Sequence, residues 1–307
     1  MKAYKGFDKN LRCRDFQYEL GKTYEEKEAR ICATGFHACE NPLNVLQYYP
    51  PCYGNRYCKV EQYGELSESD SDSKIASTNI KINKEISLTE LIQAAIDKSG
   101  ESEICSINTG VRTVAENAES YSMALNKGYG SIAANTGDCS LATTATSASI
   151  AANTGDYSVA YSQEAHSIAA NTGDDSATLS KGYRSIAANT GDNSVIMDYG
   201  ESSVAVSVGN QSAAINNGGT SVALNTGFYA EASVQNENSI AIATGVRSKA
   251  KAGLGSAIVL VERGTWDDHA YPLSNIKAAI VDGKIIKADT WYTLRNGELV
   301  ECEEGVQ

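Results

Sequence analysis

The sequence predicts a mainly β protein built on a parallel β-solenoid, and three observations carry that expectation. The string Ser-Ile-Ala-Ala-Asn-Thr-Gly-Asp recurs at residues 131, 149, 167 and 185 with no insertion or deletion. The 18-residue period divides into two units of nine, sixteen of which run consecutively from Thr113 to Ser256. The only prolines are Pro42, Pro50, Pro51 and Pro272, so the 220 residues between Pro51 and Pro272 contain none. A nine-residue unit is too short for a strand and a helix but fits one short strand and one turn. Two units then form one flattened coil, and coils stack on their neighbours. Proline would remove a ladder hydrogen bond, which accounts for its absence. The predicted organisation is a small α+β module over 1–74, a strand and capping helix over 75–103, a β-roll over 104–256 and a β-hairpin cap over 257–307.

Within the unit, position 1 is Ser in fourteen of the sixteen repeats, position 3 is Ala in fourteen and position 7 is Gly in eleven. A weaker unit, Ile104 to Arg112, opens the array. Gly at position 7 suits a turn residue with positive φ, and Asn at position 5 suits a stacked amide ladder. Side chains alternate along a strand, so positions 1, 3 and 5 share one face and 2 and 4 the other. Size points to positions 2 and 4 as the core, because they carry Ile132, Ile150, Ile168, Ile186, Val204 and Val222. Charge exclusion points the other way. Positions 1 and 3 hold no charged residue, whereas Glu116, Glu231, Lys249 and Lys251 fall at positions 2 and 4. The second criterion is preferred here. It puts Ser and Ala inside and leaves the Ile/Val column as an outer apolar stripe of the kind that partners bury.

In the N-terminal module, strand-like runs occur at Lys2–Phe7, Phe16–Leu20 and Tyr57–Gln62. Asn41 and Pro42 read as the cap and first position of a helix through Tyr49. The Ser- and acid-rich stretch Glu65–Lys74 reads as a loop, and Ile75–Ile82 as a strand. Ser87 and Glu90 form a capping box for a helix over 88–98. That helix is expected to cover the first coil, since an open solenoid end would template aggregation. At the other end Ala257–Glu262 reads as a buried-type strand. Asp282-Gly283 and Asn296-Gly297 each signal a hairpin, the first between Ile276–Val281 and Lys284–Ala288, the second between Trp291–Leu294 and Glu298–Glu301.

Charge narrows the function classes. The net charge is −12, distributed as −1 over residues 1–100, −7 over 101–255 and −4 over 256–307. An acidic body repels phosphate, which argues against nucleic-acid binding. The start lacks the apolar segment of a signal peptide, and no run approaches the length of a membrane helix. The expectation is a cytoplasmic protein with reduced thiols and no cofactor.

The repeat Ser-[Ile/Val]-Ala-x-Asn-Thr-Gly, and above all Ser239-Ile-Ala-Ile-Ala-Thr-Gly-Val-Arg-Ser248, resembles the head repeats of trimeric autotransporter adhesins. That likeness covers residues 104–256 and implies a β-roll whose three chains pack together. Two features depart from the family: the strict nine-residue spacing, and the lack of a secretion signal and membrane anchor. The whole arrangement is similar to proteins of gut bacteria and their phages that carry no assigned activity. In the N-terminal module, Tyr4-Lys5-Gly6, Gly21-Lys22-Thr23-Tyr24, Gly35-Phe36-His37-Ala38-Cys39 and Tyr48-Tyr49 resemble the order of elements in ADP-ribosyltransferase-like folds. Lys5 stands where that family usually has Arg or His, and its Ser-Thr-Ser and Glu-x-Glu signatures have no counterpart. If the module is an enzyme, that resemblance makes His37 and Glu61 its first candidates.

Three further sets of residues bear on function. Asp138, Asp156, Asp174 and Asp192 recur at position 8, one per coil. They suit a cation ladder or backbone capping within each turn, and the absence of Gly-Gly-x-Gly-x-Asp favours capping. Cys32, His37, Cys39, Cys52 and Cys58 could suggest zinc, but no two are spaced as close-set ligands. The reading that follows is a non-enzymatic structural protein: a rigid oligomerising β-roll, trimer favoured, displaying its N-terminal module to a protein partner. Its rivals are an acidic inhibitor that mimics DNA and an N-terminal transferase.

Overall fold

The computed structural model describes residues 1–49, 54–69, 73–99 and 105–302. They form two compact units, one comprising Met1–Cys105 with Ser120–Ser122 and the other the remainder.

The N-terminal unit is a small antiparallel sheet that closes on itself. Its strands are β1 (Lys2–Phe7), the short pair β2 (Arg12–Cys13) and β3 (Phe16–Gln17), β4 (Thr23–Glu25), β5 (Phe36–Cys39), β6 (Arg56–Glu68) and β7 (Lys74–Ile86). β1 pairs with β5 and β6, β7 pairs with β4 and β5, and β6 pairs back onto β7. The ring encloses Ala3, Phe7, Phe36, Ala38, Cys58, Val60, Ile80 and Ile82. Two expectations change. Glu65–Glu68 is not loop: Leu66, Ser67 and Glu68 pair with Ser77, Ala76 and Ile75 in the β6–β7 hairpin. Cross-strand backbone bonds outweigh the poor strand propensity of Ser and Glu. The predicted strand at Phe16–Leu20 shrinks to β3.

The first helix, α1, is also shorter than expected, covering Asn44–Tyr48. Asn41 caps the preceding turn instead, its Oδ1 accepting from the Leu43 N–H at 3.1 Å. The capping box forms as the sequence predicts. Glu90 N–H donates to Ser87 Oγ at 3.1 Å and Ser87 N–H to Glu90 Oε2 at 2.9 Å. The Ser87 N–H, together with the Lys84 ammonium 2.9 Å from Oε1, holds the Glu90 carboxyl down at about 2. The helix they start, α2 (Leu88–Ser99), turns Leu88, Leu91, Ile92 and Ala95 inward and packs against β7.

The second unit is the solenoid. Eighteen strands, β8 (Cys105–Asn108) to β25 (Ala257–Arg263), alternate between two parallel sheets. Two strands per coil make nine coils, about 43 Å at the ~4.8 Å strand spacing. Register is maintained from coil to coil: Ile132, Ile150, Ile168 and Ile186 stack in sequence, as do Ala133, Ala151, Ala169 and Ala187. The last coil is one residue short, because Ser239 N–H donates to Ser256 Oγ seventeen rather than eighteen residues on.

Alanines of both sheets, among them Ala115, Ala124, Ala133, Ala142 and Ala151, share one buried cluster. The interior is therefore Ser, Ala and Asn, as charge exclusion implied. The position-1 Ser residues bridge neighbouring coils; Ser149 N–H, for example, donates to Ser167 Oγ, and Ser149 Oγ accepts from Ser131 N–H. The Asn column works differently from the expected amide ladder. Asn171 Oδ1 accepts from Gly173 N–H at 3.0 Å, while its Nδ2 donates to the Ser158 and Ala177 carbonyls. The side chain thus satisfies backbone groups at the corner between the two sheets.

Glycine at position 7 serves a purpose the sequence reading missed. Positive φ falls at position 9, and ordinary residues adopt it there: Cys139, Tyr157, His166, Asp175 and Arg184 all lie between +52° and +57°. Position 7 is instead a close approach. A Cβ on Gly155, Gly173 or Gly191 would lie 2.0–2.2 Å from the carbonyl oxygen of the glycine one coil earlier.

The C-terminal residues extend each sheet with an antiparallel strand. β26 (Leu273–Ile280) pairs with β25, and β27 (Tyr292–Arg295) pairs with β24 (Lys249–Ala252). β27 and β28 (Glu298–Glu301) form the hairpin expected at Asn296-Gly297, both at positive φ. The other hairpin does not form. Ile276–Ile280 pairs backward onto β25, and Asp282 Oδ1 accepts from the N–H groups of Lys284, Ile285 and Ile286, which winds that stretch into a turn. Ile258, Leu260, Val281, Ile286, Tyr292 and Leu294 join the interior alanines, so large side chains plug the end of a core built from small ones.

Candidate functional site

Positions 2 and 4 on the sheet that contains β9 (Val114–Asn117) point outward and are almost entirely apolar. One column reads Val114, Ile132, Ile150, Ile168, Ile186, Val204, Val222, Ile240 and Ala257. The other reads Glu116, Ala134, Ala152, Ala170, Ala188, Val206, Leu224, Ile242 and Val259. β26 adds Ile280 and Ala278 opposite Ala257 and Val259. Glu116 is the single charge in these columns. Most of these side chains are half-buried by their neighbours along the column. Val114, Ile186, Ile240 and Ile280 are exposed, Ile280 at 70%. The six residues singled out from the sequence all lie here. The period did not reveal Val206, Leu224, Ile242 and Val259, which extend the stripe into a face, nor the contribution of β26. On the other sheet the outward Leu141, Val159, Tyr161 and Leu179 are 2% exposed or less.

The Asp column lies on one edge of the solenoid. Each carboxylate caps the next coil rather than its own turn. Asp156 N–H donates to Asp138 Oδ1, Asp174 N–H to Asp156 Oδ1, and Asp192 N–H to Asp174 Oδ1, at 2.7–3.0 Å. The series continues with Asn210 N–H on Asp192, and then with Asn210 Oδ1 accepting from Phe228 N–H. An amide therefore serves where the carboxylate stops, so an acceptor is what the position requires. Among the described residues, no group of three or more His, Cys, Asp or Glu side chains is placed to hold a metal ion. One carboxylate per coil is also far sparser than the ~1.7 Å charge spacing of DNA.

In the N-terminal unit the chemistry collects around Lys5. It lies in phase with Ala3 and Phe7 and is only 5% exposed. Its ammonium donates to the His37 carbonyl at 2.7 Å and to Cys13 Sγ at 3.5 Å, and lies over the Phe7 and Tyr18 rings. Phe16, Tyr18, Tyr24 and Phe36 pack edge-to-face beside it. Such a setting holds a cation by ring faces and a carbonyl.

His37 and Glu61 are not brought together. On their shared neighbour β7, His37 pairs with Ala76 and Glu61 with Lys81, five residues apart, or about 17 Å. The His37 ring spans a loop, Nε2 accepting from Cys32 N–H at 3.0 Å and Nδ1 lying 3.1 Å from the Gly35 carbonyl. Burial and the nearby Lys5 charge push its pKa down. Glu61 is exposed. Of the cysteines in the zinc reading, Cys52 lies outside the described residues. Cys58 is enclosed in the core of the ring, and burial pushes its thiol up to about 12, which suits packing rather than ligation.

A family profile described as a domain of unknown function, DUF7666, matches residues 1–94, covering β1 to β7 and the first half of α2. No curated protein and no solved structure matches the chain.

Proposed function

We propose that this structural repeat protein is a rigid β-roll that assembles into a closed trimer through the apolar face of its ten-stranded sheet. The trimer would display the N-terminal modules to a protein partner in the cytoplasm. One observation supports the reading: two adjacent outward columns carry Ile, Val, Leu and Ala over nine successive parallel strands and continue onto β26, broken only by Glu116. Isolated surface apolar residues need no explanation, but a contiguous face does.

The energetics are of the right order. Completing the burial of a half-buried Ile or Val contributes on the order of 1 kcal/mol. Ile132, Ile150, Ile168, Ile186, Val204, Val222 and Ile240 together give about 7 kcal/mol per chain, comparable with the ~4–15 kcal/mol cost of association. Identical faces close naturally around a rotation axis. The number three rests on the likeness to trimeric adhesin heads, and a phage or mobile-element origin on the likeness to proteins of gut bacteria and their phages.

The test is a charge pair on the face, Ile168→Glu with Val204→Glu. Both side chains point away from the core, so the β circular dichroism signal should persist while the light-scattering mass falls to one chain. An unchanged trimer mass would place the interface elsewhere.

A further inference from the structure

One coil breaks the side-chain pattern of the solenoid interior. Position 5 of the eleven-stranded sheet carries Asn108, Asn126, Thr144, Ser162, Ser180, Asn216, Val234 and Ala252, all uncharged, but residue 198 is Asp, at the end of β18 (Val195–Asp198). Asp198 is fully buried. Its Oδ1 does what an amide oxygen does, accepting from Gly200 N–H at 2.8 Å, as Asn216 Oδ1 accepts from Gly218 N–H at 2.9 Å. Its Oδ2 takes the place of the amide nitrogen and has no hydrogen-bond partner.

At Asn126, Asn153, Asn171, Asn216 and Asn225 that nitrogen donates to backbone carbonyls six residues ahead and thirteen behind, whereas Asn189 Nδ2 reaches Thr178 Oγ1 instead. Asn216 reaches the Val222 and Ser203 carbonyls, and Asn225 reaches those of Glu231 and Ser212. The same offsets from Asp198 lead to the carbonyls of Val204 and Ser185. An ionised oxygen facing two carbonyl acceptors is repelled, whereas a carboxylic O–H can donate to them.

We propose that Asp198 is held as a neutral carboxylic acid whose O–H replaces the amide N–H of the Asn column, and that its ionisation makes this coil the pH-sensitive point of the solenoid.

Among the described residues, none packed against the carboxyl carries a charge that would neutralise it. From β16 (Ala177–Ser180) the interior side chains beside it are Thr178 and Ser180. From β20 (Ala213–Asn216) they are Ala214 and Asn216. Across the core stand Ala187 and Asn189 of β17 (Ile186–Asn189) and Ala205 and Ser207 of β19 (Val204–Ser207). On β18 itself the bulkier Ile196 replaces the usual Ala. None of these is titratable. The ionisable groups of the adjoining turns, Lys181, Tyr183, Arg184, Asp192, Tyr199 and Glu201, lie on the solenoid's outer surface, all exposed except the half-buried Asp192.

Burial accordingly pushes the carboxyl up from 3.8 to about 7, against the downward pull of the Gly200 N–H. The native state then holds this proton more tightly than the unfolded chain does. Stability contributed here is whole below the ordinary Asp range, falls as pH rises from about 4 to about 7, and levels off above.

Urea unfolding of the full chain and of Asp198→Asn, from pH 4 to 9, tests this. The variant carries the residue that Asn216 already places at this position, so it is expected to fold. The two midpoints should coincide near pH 4. The wild-type folded-to-unfolded ratio should then fall on the order of tenfold per pH unit relative to the variant, up to a plateau above about pH 7. Carbon-13 spectra of the wild-type Asp198 carboxyl should show it titrating near neutrality, and hydrogen-exchange protection at Tyr199–Ser202, corrected for the intrinsic pH dependence of exchange, should fall over the same range in the wild type and hold in Asp198→Asn. A carboxyl that titrates in the ordinary Asp range, or a wild-type-to-variant difference independent of pH, would overturn the proposal.

Discussion

Substituting Gly173 by Ala should damage the solenoid more than any glycine rule based on φ would suggest. Its φ is not positive, so an added methyl costs nothing in backbone conformation. The cost comes from the coil beneath. The new Cβ would lie 2.0 Å from the Gly155 carbonyl oxygen and 2.5 Å from its carbonyl carbon, both backbone atoms that cannot swing away. Relief requires the coils to separate by about 1.5 Å at this corner, the shortfall from an ordinary contact. That separation stretches the bonds from Thr172 N–H to the Asn153 carbonyl, now 3.1 Å, and from Asp174 N–H to Asp156 Oδ1, now 2.9 Å. Overpacking costs about 1–3 kcal/mol and each weakened bond up to about 1 kcal/mol. A total of about 3–4 kcal/mol corresponds to a fall of roughly 6–16 °C in Tm. Gly219→Ala is the control, because nothing lies within 4 Å of its Cβ, and its Tm should stay within about 2 °C of wild type. Thermal melts followed by circular dichroism compare them directly. Equal melting of the two variants would refute the close-approach argument.

Other perturbations probe the remaining parts of the account. Asn171→Ala removes one donor and one acceptor that satisfy three buried backbone groups, and should cost about 2–4 kcal/mol in denaturant titration. Asp174→Asn keeps an acceptor for the Asp192 N–H while removing a charge from the column, so Tm should hold or rise slightly, and EDTA should leave wild-type Tm unchanged; a calcium-restored drop would show that the column binds a cation. Lys5→Met keeps the apolar stem between Phe7 and Tyr18 and removes the ammonium. A folded variant with wild-type partner capture would assign Lys5 to packing, and a folded variant that loses capture would assign it to recognition.

How much of this was legible in the sequence follows from which physical cause left a periodic trace. The solenoid was legible because each coil repeats the same contacts, and the choice of interior because Glu116, Glu231, Lys249 and Lys251 occupy only outward positions. The Gly at position 7 was visible but its reason was not. A glycine can answer either a positive φ or a close approach, and only coordinates show that Cys139, Tyr157 and Asp175 at position 9 carry the positive φ. The Asp column was readable as caps, but whether a cap acts within its own turn or on the next coil depends on the stacking distance. In the N-terminal module no period was available. Cross-strand pairing drew Glu65–Glu68 into a hairpin against its composition, and the inward turn of Lys5 is set by the phase of β1 among partners distant in sequence.

The central claim is that the apolar face of the ten-stranded sheet is an interface between copies of the chain. Light scattering on the intact protein at micromolar concentration measures this most directly. The account predicts a single species of about 98 kDa, three times the 32.6 kDa chain, and a monodisperse species of 32.6 kDa under the same conditions would contradict it.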